Sequence, residues 1–389
     1  ELDLFTVPLT QTAIEKNTYV EVPPLSAISD SAPLEFFIAG SGEEYIDLNN
    51  TLLHLRLKIT KPNGGVIADP VKVGLINYPA ATIFSQVDVS LGVRLISQSS
   101  STHPYRCIIE SLINYSKDTL ESTFTAGIFF KDTAGHMDDN DPAGNNQGLL
   151  KRSTHTSKSK IVELMAPIHS DIFFQEKLMI NGVDIKQRMI RGKDEFCLMR
   201  SDDVAYKTKY CVGIPICKGS NSCTERLAGP CSGLAVHQYK YPINRVCLKN
   251  FSISQGARVS NQENLFLGTL PKSIVLGMTD NDAFTCSYDK NPFAFKHYDL
   301  EFFAICVDGQ QISAKPLQPN FTDNSGYSLY AFNLTPDEDC GQHVSLIKSG
   351  NIRLEARFRQ PLPNTINLII YSVFDSIIEV SNRRQILVD

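Results

Sequence analysis

Residues 53–59 read LHLRLKI, in which Leu53, Leu55, Leu57 and Ile59 alternate with His54, Arg56 and Lys58. Successive side chains of a strand point to opposite faces, so this pattern buries one face and leaves the other in water. The same period of two recurs outward along the chain. Val87, Val89 and Leu91 alternate with Asp88 and Ser90, and Ile352, Leu354, Ala356 and Phe358 alternate with Arg353, Glu355, Arg357 and Arg359. Residues 366–374 are apolar on both parities, which predicts a strand covered on both faces. Asn181-Gly182, between KLMI and VDIKQRMI, and Asp308-Gly309, between EFFAICV and QQI, predict tight type I′ hairpins, because these pairs tolerate positive φ. Pro62-Asn63-Gly64-Gly65 and Pro361-Leu362-Pro363-Asn364 mark further breaks. Helical spacing of Ile108, Ile109, Leu112 and Ile113 predicts one helix from Pro104 to Tyr115, and a shorter helix is a candidate over Cys223–Ala228. Strand-helix-strand alternation does not occur. The pattern is all-β and antiparallel, in sandwiches or barrels with few short helices.

A chain of 389 residues with 42% hydrophobic and 20% charged residues is ordinary globular material. Its length suits two large β domains. The stretch 218–236, KGSNSCTERLAGPCSGLAV, is rich in small polar residues, Gly and Pro, and divides it into 1–217 and 237–389. Each part can form one eight-stranded sandwich, although no sequence repeat links them. The net charge of −5 argues against a nucleic-acid-wrapping surface. No run of 18 apolar residues exists to span a membrane, and no basic-then-apolar leader follows Glu1. Cys211, Cys217, Cys223, Cys231 and Cys247 are half of the ten cysteines, yet no C-x-x-C pair occurs. Free thiols are therefore expected, rather than a zinc knuckle or a disulfide knot.

The sharpest catalytic pattern is His136-Met137-Asp138. An H-x-D pair with a distant His makes the facial triad of non-haem iron oxygenases, and His155 and His169 are the candidate third ligands. The surroundings, KDTAGHMDDNDPAGNNQG, are a polar loop, whereas such ligands need rigid strands to aim them. Asp138, Asp139 and Asp141 suggest calcium but fail EF-hand spacing, because Ala143 takes the fifth position. No G-x-S-x-G, P-loop or H-E-x-x-H motif appears. The expectation is no catalytic, cofactor-binding or metal residue. Lys151, Arg152, Lys158 and Lys160, with His155 and no acid among them, read as a surface loop with phosphate contact as the alternative. Phe293, Phe295 and Tyr298 are expected to pack over a β core.

Strings along nearly the whole chain carry a resemblance. They include LDLFTVPLTQTAIEK from Leu2, EFFIAGSGEEYIDLNNT from Glu35, YRCIIESLINYSKD from Tyr105 and FKDTAGHMDD from Phe130. They continue with HSDIFFQEKLMINGVDIKQRMIRGKDEFCLM from His169, QENLFLGTLPKSIVLGMTDNDAF from Gln262, KNPFAFKHYDL from Lys290 and NIRLEARFRQPLPNTINLIIYSVFDSIIEV from Asn351. With these the chain resembles the double jelly-roll major capsid protein of Polinton (Maverick) elements and adintovirus-type DNA viruses. It departs from that pattern at LGVRLIS from Leu91, where an Asn-Gly hairpin is expected, in the Cys211–Cys231 stretch, and in a short FTDNSGYSLY loop. The resemblance implies two tandem jelly rolls and homotrimers of pseudo-hexagonal outline tiling an icosahedral shell. Minor and penton capsid proteins would be partners, and the shell would enclose double-stranded DNA without specific binding. It implies no catalytic role for the His136–Asp139 loop, and assembly in the host nucleus or cytoplasm. A host-domesticated binding protein and a jelly-roll iron enzyme using His136 and Asp138 are the competing readings.

Overall fold

The computed structural model describes residues 14–26, 32–40, 44–221, 238–311, 316–319, 326–335 and 348–388. Eleven strands precede the undescribed stretch 222–237. They are β1 (Ile14–Val22), β2 (Leu34–Ile38), β3 (Tyr45–Asp47), β4 (Leu52–Thr60), β5 (Val73–Leu75) and β6 (Phe84–Leu91). Then come β7 (Arg94–Leu95), β8 (Val162–Pro167), β9 (Ile185–Arg191), β10 (Leu198–Arg200) and β11 (Lys207–Asn221). Ten strands follow it. These are β12 (Tyr239–Ile253), β13 (Val259–Gln262), β14 (Leu267–Thr269), β15 (Ser273–Asp280) and β16 (Leu300–Val307). The last five are β17 (Gln310–Gln311), β18 (Leu329–Asn333), β19 (Ser349–Phe358), β20 (Ile366–Val380) and β21 (Ile386–Val388). No described sheet mixes strands of the two halves.

The strand orders define the fold. The first half pairs β1-β11-β4-β8 in one sheet and β2-β9-β6-β7 in the other; β3 joins β11, and β10 pairs with β5. The second half pairs β12-β20-β15-β18 and β13-β19-β16-β17, with β21 and β14 added to β20 and β19. Number the eight path strands of either half by sequence and the orders are 1-8-3-6 and 2-7-4-5 both times. That is the jelly roll, two antiparallel four-stranded sheets, present twice. The expected period of two holds: Leu53, Leu55, Leu57 and Ile59 of β4 are buried while Arg56 is exposed.

Several local expectations need correction. Asp308 and Gly309 both take positive φ, 49° and 82°, and close β16 onto β17 as a type I′ turn should. At Asn181-Gly182 only Gly182 does, at 79°, and no hairpin forms. Met179 instead bridges to Ile46, and β9 takes β2 and β6 as partners, so the segment before the turn belongs to another sheet. The departing turn at Leu91 is a two-residue hairpin carried by Gly92 at φ 57°. Only part of the basic stretch is loop: Lys151, Arg152 and His155 lie in helix α4 (Gln147–Thr156; α1–α3 are Pro79–Thr82, His103–Asn114 and Lys117–Glu121), while Lys158 and Lys160 follow it in and just after a short 3-10 turn. Asn146 caps α4 by accepting from the Leu149 amide, and Leu149, Arg152, Ser153 and Thr156 bury one helical face. Phe293 and Phe295 are fully buried, as expected. The candidate helix 223–228, with Cys223 and Cys231, lies outside the described residues; Cys107, Cys197, Cys211, Cys247, Cys286 and Cys306 are free thiols.

Candidate functional site: the seam between the rolls

Strand β20 shows why the two rolls are one body. Ile366, Leu368 and Ile370 belong to the core of the second roll. Ile369 and Tyr371, on the opposite face, belong to the core of the first. Val275 of β15 and Tyr241, Ile243, Val246 and Leu248 of β12 join them there. The outer face of the second roll's large sheet is therefore buried against the first roll, which explains the unbroken apolar run.

The insertion between β7 and β8 supplies the other wall, and α2 lies in it. Residues His103 to Ser111 are all buried, far more of the helix than its apolar stripe accounts for. Arg106 and Glu110, one turn apart, are therefore buried too. Arg106 Nε donates to Glu110 Oε1 at 2.8 Å, and its guanidinium stands 2.7 Å from Asp171. His169 Nδ1 lies 2.7 Å from Glu110 Oε2, which makes that nitrogen the donor. The second roll completes the cluster. Tyr371 OH donates to Glu110 Oε1 at 3.2 Å, and the Val246 amide donates to Asp171 at 3.2 Å. Burial works to raise the Glu110 carboxyl, but Arg106 and the His169 contact outweigh it and hold it at about 2. For Asp171 burial wins, and its carboxyl is raised. Burial, with His169 and Arg106 nearby, pushes the neighbouring His103 down to about 3.

A second node is built on Arg152, which has no exposed surface. Its guanidinium donates to Leu75 O at 2.7 Å, Phe130 O at 2.6 Å and Asp132 Oδ1 at 2.5 Å. Asn291 of the second roll donates to the other Asp132 oxygen at 2.9 Å. Sequence reasoning placed Arg152 on a surface loop and passed over Arg106, Glu110, Asp132 and Asp171. The i,i+4 pair Arg106–Glu110 inside an apolar helix was the available signal.

The third node holds the H-x-D motif. A cavity of about 570 Å3 opens where the rolls meet, lined by His136, Met137 and Asp138 from the first and Lys296, His297 and Tyr298 from the second, among others. Asp138 is taken up by Lys296 at 2.6 Å and by the Asn291 amide at 3.1 Å. Lys296 also pairs with Asp280 at 2.8 Å, and Tyr298 OH donates to the same carboxylate at 2.8 Å. Burial would raise the Asp280 carboxyl, but these bonds lower it. The candidate triad is dispersed: His155 of α4 stacks on Phe130, and His169 sits in the Glu110 cluster. Among the described residues no three His, Cys, Asp or Glu side chains converge as a metal site. What the arrangement does chemically is tie two rolls together through paired, buried polar groups.

No protein-family model matches the chain. A Caenorhabditis elegans protein described only as uncharacterised is 22% identical over 428 residues, spanning 98% of this chain and 99% of that protein. The structure of the Sputnik virophage is similar with a TM-score of 0.64 at 11% identity, covering 100% of this chain and 91% of the other. The PBCV-1 virus capsid follows at 0.61 and 10%, covering 99% and 98%. The mavirus major capsid protein stands at 0.57 and 12%, covering 100% and 93%. The chain has the double jelly-roll fold of these capsid proteins, over its whole length.

Proposed function

We propose that the chain is a viral major capsid protein of the Polinton/Maverick and adintovirus kind, with a structural and non-catalytic role. The observation that carries this reading is the same jelly-roll strand order twice in one chain, fused along a buried seam. One such subunit is a rigid block with two quasi-equivalent sides. Three copies joined by one repeated heterologous contact give a closed ring with six corners. Residues 1–217 and 237–389 are the two rolls, joined by 218–236, with β11 carrying the first roll on to Asn221. Contacts between subunits run through sandwich flanks and loops, and bury on the order of 2,000 Å² or more, as obligate assemblies do. Minor and penton capsid proteins complete the shell in the host nucleus or cytoplasm, and double-stranded DNA is enclosed without specific binding.

The test is mass. Light scattering on purified protein should give about three times 43.2 kDa without nucleic acid. The relative in an animal favours a second reading, a copy retained by a host as a binding module. A stable monomer at micromolar concentration in several salts would support that reading and sink the capsid one.

A further inference from the structure

Within the same insertion between β7 and β8 lies a second cavity of about 290 Å3. Lys117 and Glu121 of α3, the loop residue Lys131, and Lys151 of α4 line it together with Phe129 and Phe130. Three lysines thus line one small depression with a single glutamate. That carboxylate stands 3.8 Å from Lys117, at the outer limit of an ion pair. Lys131 and Lys151 have no acidic partner among the described residues. Asp132, next in the chain to Lys131, is taken up by Arg152.

Packed rings and a close backbone approach frame the depression. Phe129 is buried, and Phe130 stacks on His155 with centroids 5.8 Å apart and planes 10° from parallel. Lys151 Nζ stands 5.8 Å from the Phe130 centroid. Gly148 lets α4 approach the backbone of Lys131, since a Cβ there would come within 2.5 Å of the Lys131 carbonyl oxygen. Holding like charges around one depression costs Coulomb energy that scattered surface lysines avoid, and a multiply charged anion offsets it. In the larger cavity at the seam this does not arise, because Asp138 and Asp280 already neutralise Lys296.

We propose that this cavity binds a small phosphorylated anion of the pyrophosphate class, held by Lys117, Lys131 and Lys151. Such an ion presents several acceptor oxygens and a multiple negative charge, which suits lysine ammonium groups acting as point charges. A nucleic-acid strand needs an extended groove with repeated stacking surfaces, not a single depression of about 290 Å3.

Pyrophosphate is titrated into the assembled protein at constant ionic strength while the thermal midpoint is followed. A saturable rise is expected. The exposed pair Lys131→Gln with Lys151→Gln should weaken the apparent affinity at least tenfold, and Lys117→Gln should weaken it less. Circular dichroism of each variant should match the parent. An equal rise with sodium chloride at matched ionic strength overturns the proposal, as does an unchanged response in the double variant. A short oligothymidylate is the second probe. If it binds more tightly than pyrophosphate and is lost in the same variants, the phosphates belong to a nucleic acid and the small-anion assignment fails. Light scattering on the same samples reads the oligomer separately, so failure here leaves the capsid reading intact.

Discussion

Arg152 shows what a single residue contributes and why its sequence hides it. A run of four basic residues reads as solvated, because an isolated buried guanidinium is prohibitive. The cost is avoided by Asp132 and two backbone carbonyls, and Asp132 lies twenty positions earlier in the chain. Nothing local to 151–160 encodes that partner. Arg152→Ala takes the guanidinium from both carbonyls and from the buried Asp132 carboxylate, which keeps only the neutral Asn291 amide described above, so a loss of about 3–5 kcal/mol is expected in chemical denaturation. A loss under 1 kcal/mol would mean that water reaches the site. His103 gives a pH signature. Its folded value is depressed to about 3 from the usual 6.5, so its contribution is complete above pH 6.5 and is lost as pH falls toward 3. Glu110, held at about 2 against an ordinary 4.5, adds a second loss between those values. Asp171 is raised and acts in the opposite sense. The thermal midpoint should fall from pH 6.5 to pH 4, and His103→Gln should flatten that slope. An unchanged slope in the variant would place the sensitivity elsewhere.

Elements were legible wherever one period and one partner decided them. The β4 and β19 stripes needed only a wet face and a dry face, and both formed as read. The two Asx-Gly turns divide on a different ground. At Asp308-Gly309 the flanking strands pair with each other, so both residues must take positive φ. At Asn181-Gly182 tertiary pairing of Met179 with Ile46 overrides the local hairpin signal. Gly309→Ala should therefore weaken the β16–β17 ribbon by about 1–2 kcal/mol, the cost of a left-handed L-residue. Hydrogen exchange should quicken at Cys306 and Val307 but stay slow in β19. Equal exchange in the two proteins would show that the turn contributes nothing to the ribbon. Helix α4 was missed for want of an apolar stripe, since its buried face is Leu149, Arg152, Ser153 and Thr156.

At the scale of the molecule, the repeated roll was invisible as repeated sequence but visible as repeated pattern. A jelly roll constrains which positions face inward, and many apolar sequences satisfy that constraint, so two halves share strand order without shared residues. The seam was legible in part: the run from Ile366 announced a strand buried on both faces, but not what covered its second face. That cover is the first roll, and it makes a strong expectation about cooperativity. Ile369, Tyr371, Val246 and Leu248 sit in the core of the first roll, and the Glu110 and Asp132 clusters each take a hydrogen bond from the second. Separating the rolls would expose that apolar surface and strand buried carboxylates, so neither half should survive the loss of the other. Thermal unfolding should be a single calorimetric transition, with equal van't Hoff and calorimetric enthalpies per cooperative unit. A protease site inserted between residues 222 and 237 and then cut should leave the two fragments co-eluting in native buffer. Two resolved transitions, or fragments that part without denaturant, would mean that the rolls are tethered neighbours and that the proposed six-cornered block would lack the stiffness a shell requires.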